Sequence, residues 1–240
     1  MAGEATERLK RLLRRLDLHV GRHRNTLAGA RATILARPDV DLVIDVGAHA
    51  GEYGGSLRKA GYRGPIVSFE PVRSQFERLS AAAGGDAAWK CRNRAAGSVA
   101  GTATINVSGN DGFSSSLLAM KEAHEQAVGD SRYERSEQIQ VVSLDEELED
   151  FDRSRRHAYL KVDTQGFEHE VVKGGTGVLA GCRAVELELS LTPLYEGQLL
   201  AGEMIELMRR HSFKPTHLEP EFVDPASGEL LQLNGLFQAV

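Results

Sequence analysis

A chain of 240 residues, 41% of them hydrophobic and 26% charged, has the make-up of a globular protein able to bury one full α/β core, which sets aside disordered and fibrous classes. A net charge of −5 gives no global attraction to nucleic acid. Cys91 and Cys182 read as reduced core thiols rather than a disulfide or metal site, and no membrane-length apolar run or leader is evident, so the cytoplasm is the expected compartment.

Residues 1 to about 24 are basic, through Arg8, Lys10, Arg11, Arg14, Arg15, Arg22 and Arg24, while Leu9, Leu12, Leu13 and Leu16 recur at helical spacing. The favoured reading is a packing or homodimer helix with a solvated basic face. Contact with an acidic lipid surface or an anionic substrate is the alternative. A second helix is expected from Thr26 to Ala36, closed by Pro38. The two make a helical extension over residues 1–38, ahead of one domain over 39–240.

Strands and helices then alternate. Leu42–Val46 is a short buried strand that runs into Gly47-Ala48-His49-Ala50-Gly51 and a helix to about Ala60. Ile66–Phe69 and Ala88–Arg92 are strands with a helix from Ser74 to Ala83 between them, and Gly101–Val107 is an added strand. Ser108–Ser116 is a polar, glycine-rich loop, suited either to shaping a substrate mouth or to a plain surface turn. Residues 119 to 136 are charged and weakly patterned, as in a mobile segment or lid.

Ile139–Val142 is the next strand, and Ser143 caps a short helix. Ala158–Asp163 is a core strand ending in an acid, turned by Thr164-Gln165-Gly166-Phe167-Glu168 into a helix that Gly174-Gly175 ends. Ala184–Leu189 is a strand with two acids, a helix covers Ala201 to His211, and Phe213–Leu218 with Gly235–Val240 suit a terminal antiparallel pair. The alternation predicts a doubly wound α/β sheet with helices on both faces.

The first turn reads Asp45-x-Gly47-x-x-x-Gly51, not Gly-x-Gly-x-x-Gly. A pyrophosphate cofactor wants glycine amides and no nearby acid. S-adenosylmethionine carries an ammonium and a sulfonium, and beside those an acid such as Asp45 is welcome. Glu70 ends the second strand nineteen positions beyond Gly51, where a carboxylate takes both ribose hydroxyls. Glu70 alone serves NAD equally well; the pair of acids favours S-adenosylmethionine. The bland reading is a βαβ unit whose glycines only permit tight packing.

Several pieces together resemble the FkbM family of S-adenosylmethionine-dependent methyltransferases. They are Ile44-Asp45-Val46-Gly47-Ala48-His49-Ala50-Gly51, Phe69-Glu70-Pro71, Asn93-Arg94-Ala95, Ser114-Ser115-Ser116-Leu117, Ser143-Leu144-Asp145, Leu160 through Glu168, Val171-Val172-Lys173-Gly174 and Glu186-Leu187-Glu188. They fall in the family's order over about residues 40 to 240, with one departure at Gln165, where many members carry glutamate. The resemblance implies a class I methyltransferase fold, a seven-stranded, mostly parallel sheet with one antiparallel strand near the C-terminus. It also implies O-methylation of a hydroxyl on a sugar, glycolipid or polyketide-type natural product.

Carried over residue by residue, it implies that Asp45 and the turn of Gly47, Ala48, His49 and Gly51 hold the methionine end of the cofactor. Glu70 and Pro71 sit at the ribose, and Asn93, Arg94 and Ala95 border the adenine. Asp163 is placed beside the sulfonium, to contact the amine, act as base or bind a divalent ion, and Glu188 is a candidate second oxygen ligand for Mg²⁺. The plain alternative has Glu186 and Glu188 facing solvent. Lys161, two residues before Asp163 on a strand, points to the same face and suits a charge pair that keeps Asp163 ionised; otherwise its head reaches water. His49, His169 and His217 are weaker base candidates. An NAD-dependent oxidoreductase and a non-catalytic interaction protein remain as alternative classes.

Overall fold

The computed structural model describes residues 25–240, and the basic helix expected over residues 1 to about 24 lies outside them. Strand β1 (Leu42–Val46) is buried along most of its length and lies inside a seven-stranded sheet, as a strand apolar on both faces must. On one side it pairs in parallel with β2 (Ile66–Phe69), which pairs with β3 (Trp89–Arg92).

A second sheet, ordered β4-β6-β5, stands beside the first. It contains β4 (Ala95–Ala96), β5 (Gly101–Ser108) and β6 (Tyr133–Val142), with its own small core of Val72, Ala95, Ile105, Val107, Ile139 and Val141. β6 starts six residues before the Ile139 expected from sequence. Its first half is largely exposed, so no apolar run announces it; its pairing with β5 does the work instead. The segment expected as a lid or mobile stretch thus becomes a helix followed by this strand.

On the other side of β1, β7 (Ala158–Val162) and β8 (Cys182–Ser190) follow in parallel. β9 (Phe213–Val223) and β10 (Leu230–Ala239) form the expected C-terminal antiparallel pair, and β10 runs antiparallel to β8. The order is β3-β2-β1-β7-β8-β10-β9, which places the topological switch between β1 and β7. In open α/β sheets the carboxyl ends of the strands diverge at that switch and leave a crevice.

Three helices cover one face: α1 (Leu27–Leu35), α2 (Glu52–Lys59) and α3 (Arg73–Ala83). The Thr26 hydroxyl caps α1 by accepting the Gly29 N–H at 3.1 Å. Leu27, Ile34, Leu57 and Leu79 pack there against Val43, Ile66 and Tyr159. α4 (Glu122–Ala127) belongs to the segment before β6. The opposite face is covered by α5 (Leu144–Glu147), α6 (Glu168–Gly174), α7 (Thr176–Ala180) and α8 (Ala201–Arg210), which bury Leu144, Val172, Leu179 and Met208 against Ile44, Leu160 and Leu187. Each fully buried Leu or Ile contributes about 1.5–3 kcal/mol. Cys91 and Cys182 are free thiols, and among the described residues no helix is long and apolar enough to cross a membrane.

Candidate active site

The crevice at the strand ends is a cavity of about 640 Å³, and its first wall is the turn after β1. Gly47 has φ +76, and a Cβ there would lie 1.7 Å from the Asp163 carbonyl oxygen, so only glycine lets β1 and β7 end side by side. The amides of Gly47 and Ala48 donate to the Phe69 carbonyl at 3.0 Å, and that of Gly51 donates to the Ala48 carbonyl. The His49 amide donates to Glu70 Oε2 at 2.8 Å, and the Val72 amide to Glu70 Oε1 at 2.8 Å. Glu70 is thus oriented by backbone from both sides. Burial pushes its carboxyl up to about 7, against the pull of those two amides.

Sheet register builds a polar row beneath the cavity. Ser68, Asp45, Lys161 and Glu186 are partners across β2, β1, β7 and β8, so their side chains share one face. The Trp89 indole donates to Ser68 Oγ at 3.0 Å, and Ser68 donates to Asp45 Oδ2 at 3.1 Å. Lys161 Nζ lies 3.7 Å from Asp45 Oδ1 and 3.3 Å from Asp163 Oδ2, and it donates to the Gly47 carbonyl at 3.2 Å. Burial works against the Lys161 charge, but Asp163, Asp45 and Glu186 outweigh it and hold the ammonium above its ordinary value. The charge pair read from sequence is therefore present, and Lys161 does not reach out to solvent.

Glu186 is 4% exposed, so the solvent-facing reading fails for it. Arg31, from α1, grips it with Nε at 2.8 Å and Nη2 at 2.6 Å, and the Tyr159 hydroxyl donates to it at 2.5 Å. Both Arg31 and Lys161 stand over the Tyr53 ring, at 4.9 and 5.3 Å from its centre.

Asp163 and Glu188 meet at the far wall, where the Gln165 amide donates to Asp163 Oδ1 and Glu188 Oε2 at 3.0 Å each. Burial, reinforced by Asp163 and Glu168, holds the Glu188 carboxyl well above the usual carboxylate range. The Mg²⁺ reading does not fit these residues. Among the described residues no group of three or more His, Cys, Asp or Glu side chains is arranged to hold a metal ion, and an amide lies between the two expected ligands.

The polar loop after β5 closes the mouth, and Gly112 through Leu117 line the cavity. The His49 Nε2–H donates to the Asp111 carbonyl at 2.9 Å, and its ring stacks on Phe113 with centres 4.1 Å apart. His124, in α4, sits within the same wall with Nε2 3.1 Å from Ser114 Oγ, and burial lowers its pKa to about 4.

Gly47, Ala48, His49, Glu70, Pro71, Arg94, Ala95, Lys161, Asp163 and Glu188 all line this one cavity. Asp45, Gly51 and Asn93 do not. Asp45 is fully buried in the polar row, because its register partner is Lys161. The α-carbon of Gly51 faces Leu79, Ala82 and Trp89. The Asn93 amide braces the Glu70 and Pro71 carbonyls at 2.9 and 3.0 Å. His169 is buried in α6 and His217 lies in β9, away from the lining. Sequence reasoning missed Arg31, Tyr53, Glu221, Phe222, Gln232 and Asn234, which complete the wall from α1, α2 and the β9–β10 pair.

A mostly parallel seven-stranded sheet in this order, with β10 reversed beside the edge, is the class I methyltransferase architecture. The chain belongs to the FkbM methyltransferase family: the model described as Methyltransferase FkbM domain matches residues 45–215. Solved structures that resemble it include an rRNA methylase from Streptococcus thermophilus, at 9% identity and a TM-score of 0.48, covering 92% of this chain and 99% of that one. Another is an S-adenosylmethionine-dependent methyltransferase from Mesorhizobium loti, at 10% identity and 0.47, covering 91% and 98%. A third is precorrin-6y C5,15-methyltransferase from Geobacter metallireducens, at 8% and 0.44, covering 88% and 87%. No curated protein matches the sequence.

Proposed function

We propose that the protein moves a methyl group from S-adenosylmethionine to a hydroxyl of a small acceptor, of the sugar, glycolipid or polyketide type. The observation that carries this reading is the set of three carboxylates on one cavity: Glu70 after β2, Asp163 after β7 and Glu188 late in β8. The donor set suits the cofactor. Glu70 would hold the ribose, the wall of Arg94, Ala95, Ala96 and Phe167 the adenine, and Asp163 the amino group. The turn amides of Gly47, Ala48, His49 and Gly51 are committed within the protein, so they offer no cradle for a pyrophosphate, which weighs against a dinucleotide.

When bound, S-adenosylmethionine supplies a methyl group made electrophilic by its sulfonium. The chain must then align the acceptor oxygen and take its proton. Glu188 suits the second task by its place late in β8 on the cavity wall, beside Asp163. Lys161 Nζ pairs with the neighbouring Asp163 Oδ2 at 3.3 Å. The lining holds more acids than bases, Glu52, Glu70, Asp163, Glu186, Glu188 and Glu221 against Arg31, Arg94 and Lys161, an excess that favours a neutral hydroxyl acceptor over a phosphate backbone.

Calorimetric titration with S-adenosylmethionine, its demethylated product S-adenosylhomocysteine and NAD, for the native protein and Glu70→Ala, tests the reading. Micromolar binding of the first two, weakened in the variant, supports it and opens a screen of hydroxyl acceptors. Binding of NAD instead, or no loss in Glu70→Ala, sinks the cofactor assignment.

A further inference from the structure

The side-chain amide of Gln165 is fully engaged. Its two N–H groups go to Asp163 Oδ1 and Glu188 Oε2, and its carbonyl oxygen accepts the Tyr195 hydroxyl at 2.7 Å. The Tyr195 hydroxyl donates to the carbonyl end, which turns the amino end toward the two acid oxygens. The backbone serves the same arrangement. Gln165 has φ +56, uncommon for a residue with a side chain, and its carbonyl accepts the Ser116 hydroxyl at 2.7 Å. Gly166 follows at φ +94, and a Cβ there would lie 3.0 Å from the Tyr195 side chain, so the missing side chain lets Tyr195 seat against the turn.

Two carboxylates on one wall repel each other unless something positive lies between them. Asp163 has Lys161; among the described residues Glu188 has no lysine or arginine within ion-pair distance. What bridges the two is the pair of N–H dipoles of one neutral amide.

We propose that Gln165 is the positioning residue of this acid pair: its carboxamide stands where a divalent cation would bridge Asp163 and Glu188, and the pair works without a metal. The bridge fixes the spacing of the two acids and leaves Glu188 Oε1 free to take a hydrogen bond from a ligand. The part this plays in catalysis rests on the methyltransferase reading; the bridge itself does not.

The test is a titration of MnCl₂ into the native protein, Gln165→Glu and Gln165→Ala, read by calorimetry and by water-proton relaxation, with circular dichroism as the check on folding. Gln165→Glu sets a third carboxylate at the bridging place, and Mn²⁺ affinity is expected to rise by about 10-fold or more over the native protein. Gln165→Ala, which only removes the bridge, is expected to show a smaller gain in the same direction and decides the matter if the glutamate variant does not fold. Native protein that binds Mn²⁺ as tightly as Gln165→Glu overturns the proposal, and so does a folded variant with no gain. S-adenosylhomocysteine is titrated separately with and without EDTA. Its affinity is expected to stay within about twofold, and a loss in EDTA counts against the metal-free bridge. Failure of the native protein to bind it at all removes the cofactor reading and leaves the Mn²⁺ result standing.

Discussion

Gly47 and Asp163 come closer than any side chain would permit: a Cβ on Gly47 would lie 1.7 Å from the Asp163 carbonyl oxygen. The contact joins the turn after β1 to the acid that follows β7, and Asp163 returns the link by donating its amide to the Val46 carbonyl at 3.0 Å. Gly47→Ala must move one strand end or the other, at φ +76, and is expected to cost about 3 kcal/mol or more. Gly55→Ala is the control. Nothing lies within 4 Å of its Cβ, and a helix interior gains about 0.5–1 kcal/mol from the change. Urea melts of both variants separate the two; equal stability would show that the strand ends yield easily.

Cofactor binding should depend on pH through Glu70. Burial lifts this carboxyl from 4.5 to about 7, and ribose hydroxyls are best held by the ionised form. Affinity for S-adenosylhomocysteine is therefore expected to rise between pH 6 and 8, and Glu70→Gln should flatten the profile, within about twofold across that range. Stability moves the opposite way. Between pH 4.5 and about 7 the folded protein keeps a proton that the unfolded chain has released, so this group's contribution falls as pH rises through that window. A calorimetric pH series on both proteins reads both slopes.

The strands that carry the site were legible because composition and periodicity are local. Leu42–Val46 and Ala158–Val162 match the expected core strands, and the acids Glu70 and Asp163 follow strands as their motifs imply. Asp45 was not legible. Its neighbours Lys161 and Glu186 are set by pairing across three strands, and nothing near Asp45 in the chain encodes that register. Gln165 stands out in the sequence only as a departure from the family pattern; its bridging role, and Tyr195 with it, were missed for a related reason. An uncharged glutamine in a turn gives no pattern, and its meaning comes only from the two acids it reaches.

Lys161 answers Asp45 and Asp163 together, so its removal strands a fully buried carboxylate. Lys161→Met is expected to destabilise the fold by about 3–5 kcal/mol. Adding Asp45→Asn should restore part of that, because the buried charge goes with it. Thermal melts of the single and double variants measure the coupling. If the double variant is no more stable than Lys161→Met, the loss comes from packing of the lysine stem instead.

Arg31 lies outside the family-matched residues 45–215, yet it holds Glu186 through two nitrogens and lines the cavity. Removing it leaves Glu186 buried with the Tyr159 hydroxyl and without its guanidinium, so Arg31→Ala is expected to cost about 3 kcal/mol or more. Arg31→Lys keeps the charge but loses the planar fork, and should recover less than half of that loss. Affinity for S-adenosylhomocysteine should stay within about twofold in the folded lysine variant, because Glu70 is oriented by the His49 and Val72 amides and not by α1. Denaturant melts with a cofactor titration on each variant check both halves. A lysine variant as stable as the native protein would mean that α1 brings a charge to the site and no geometry.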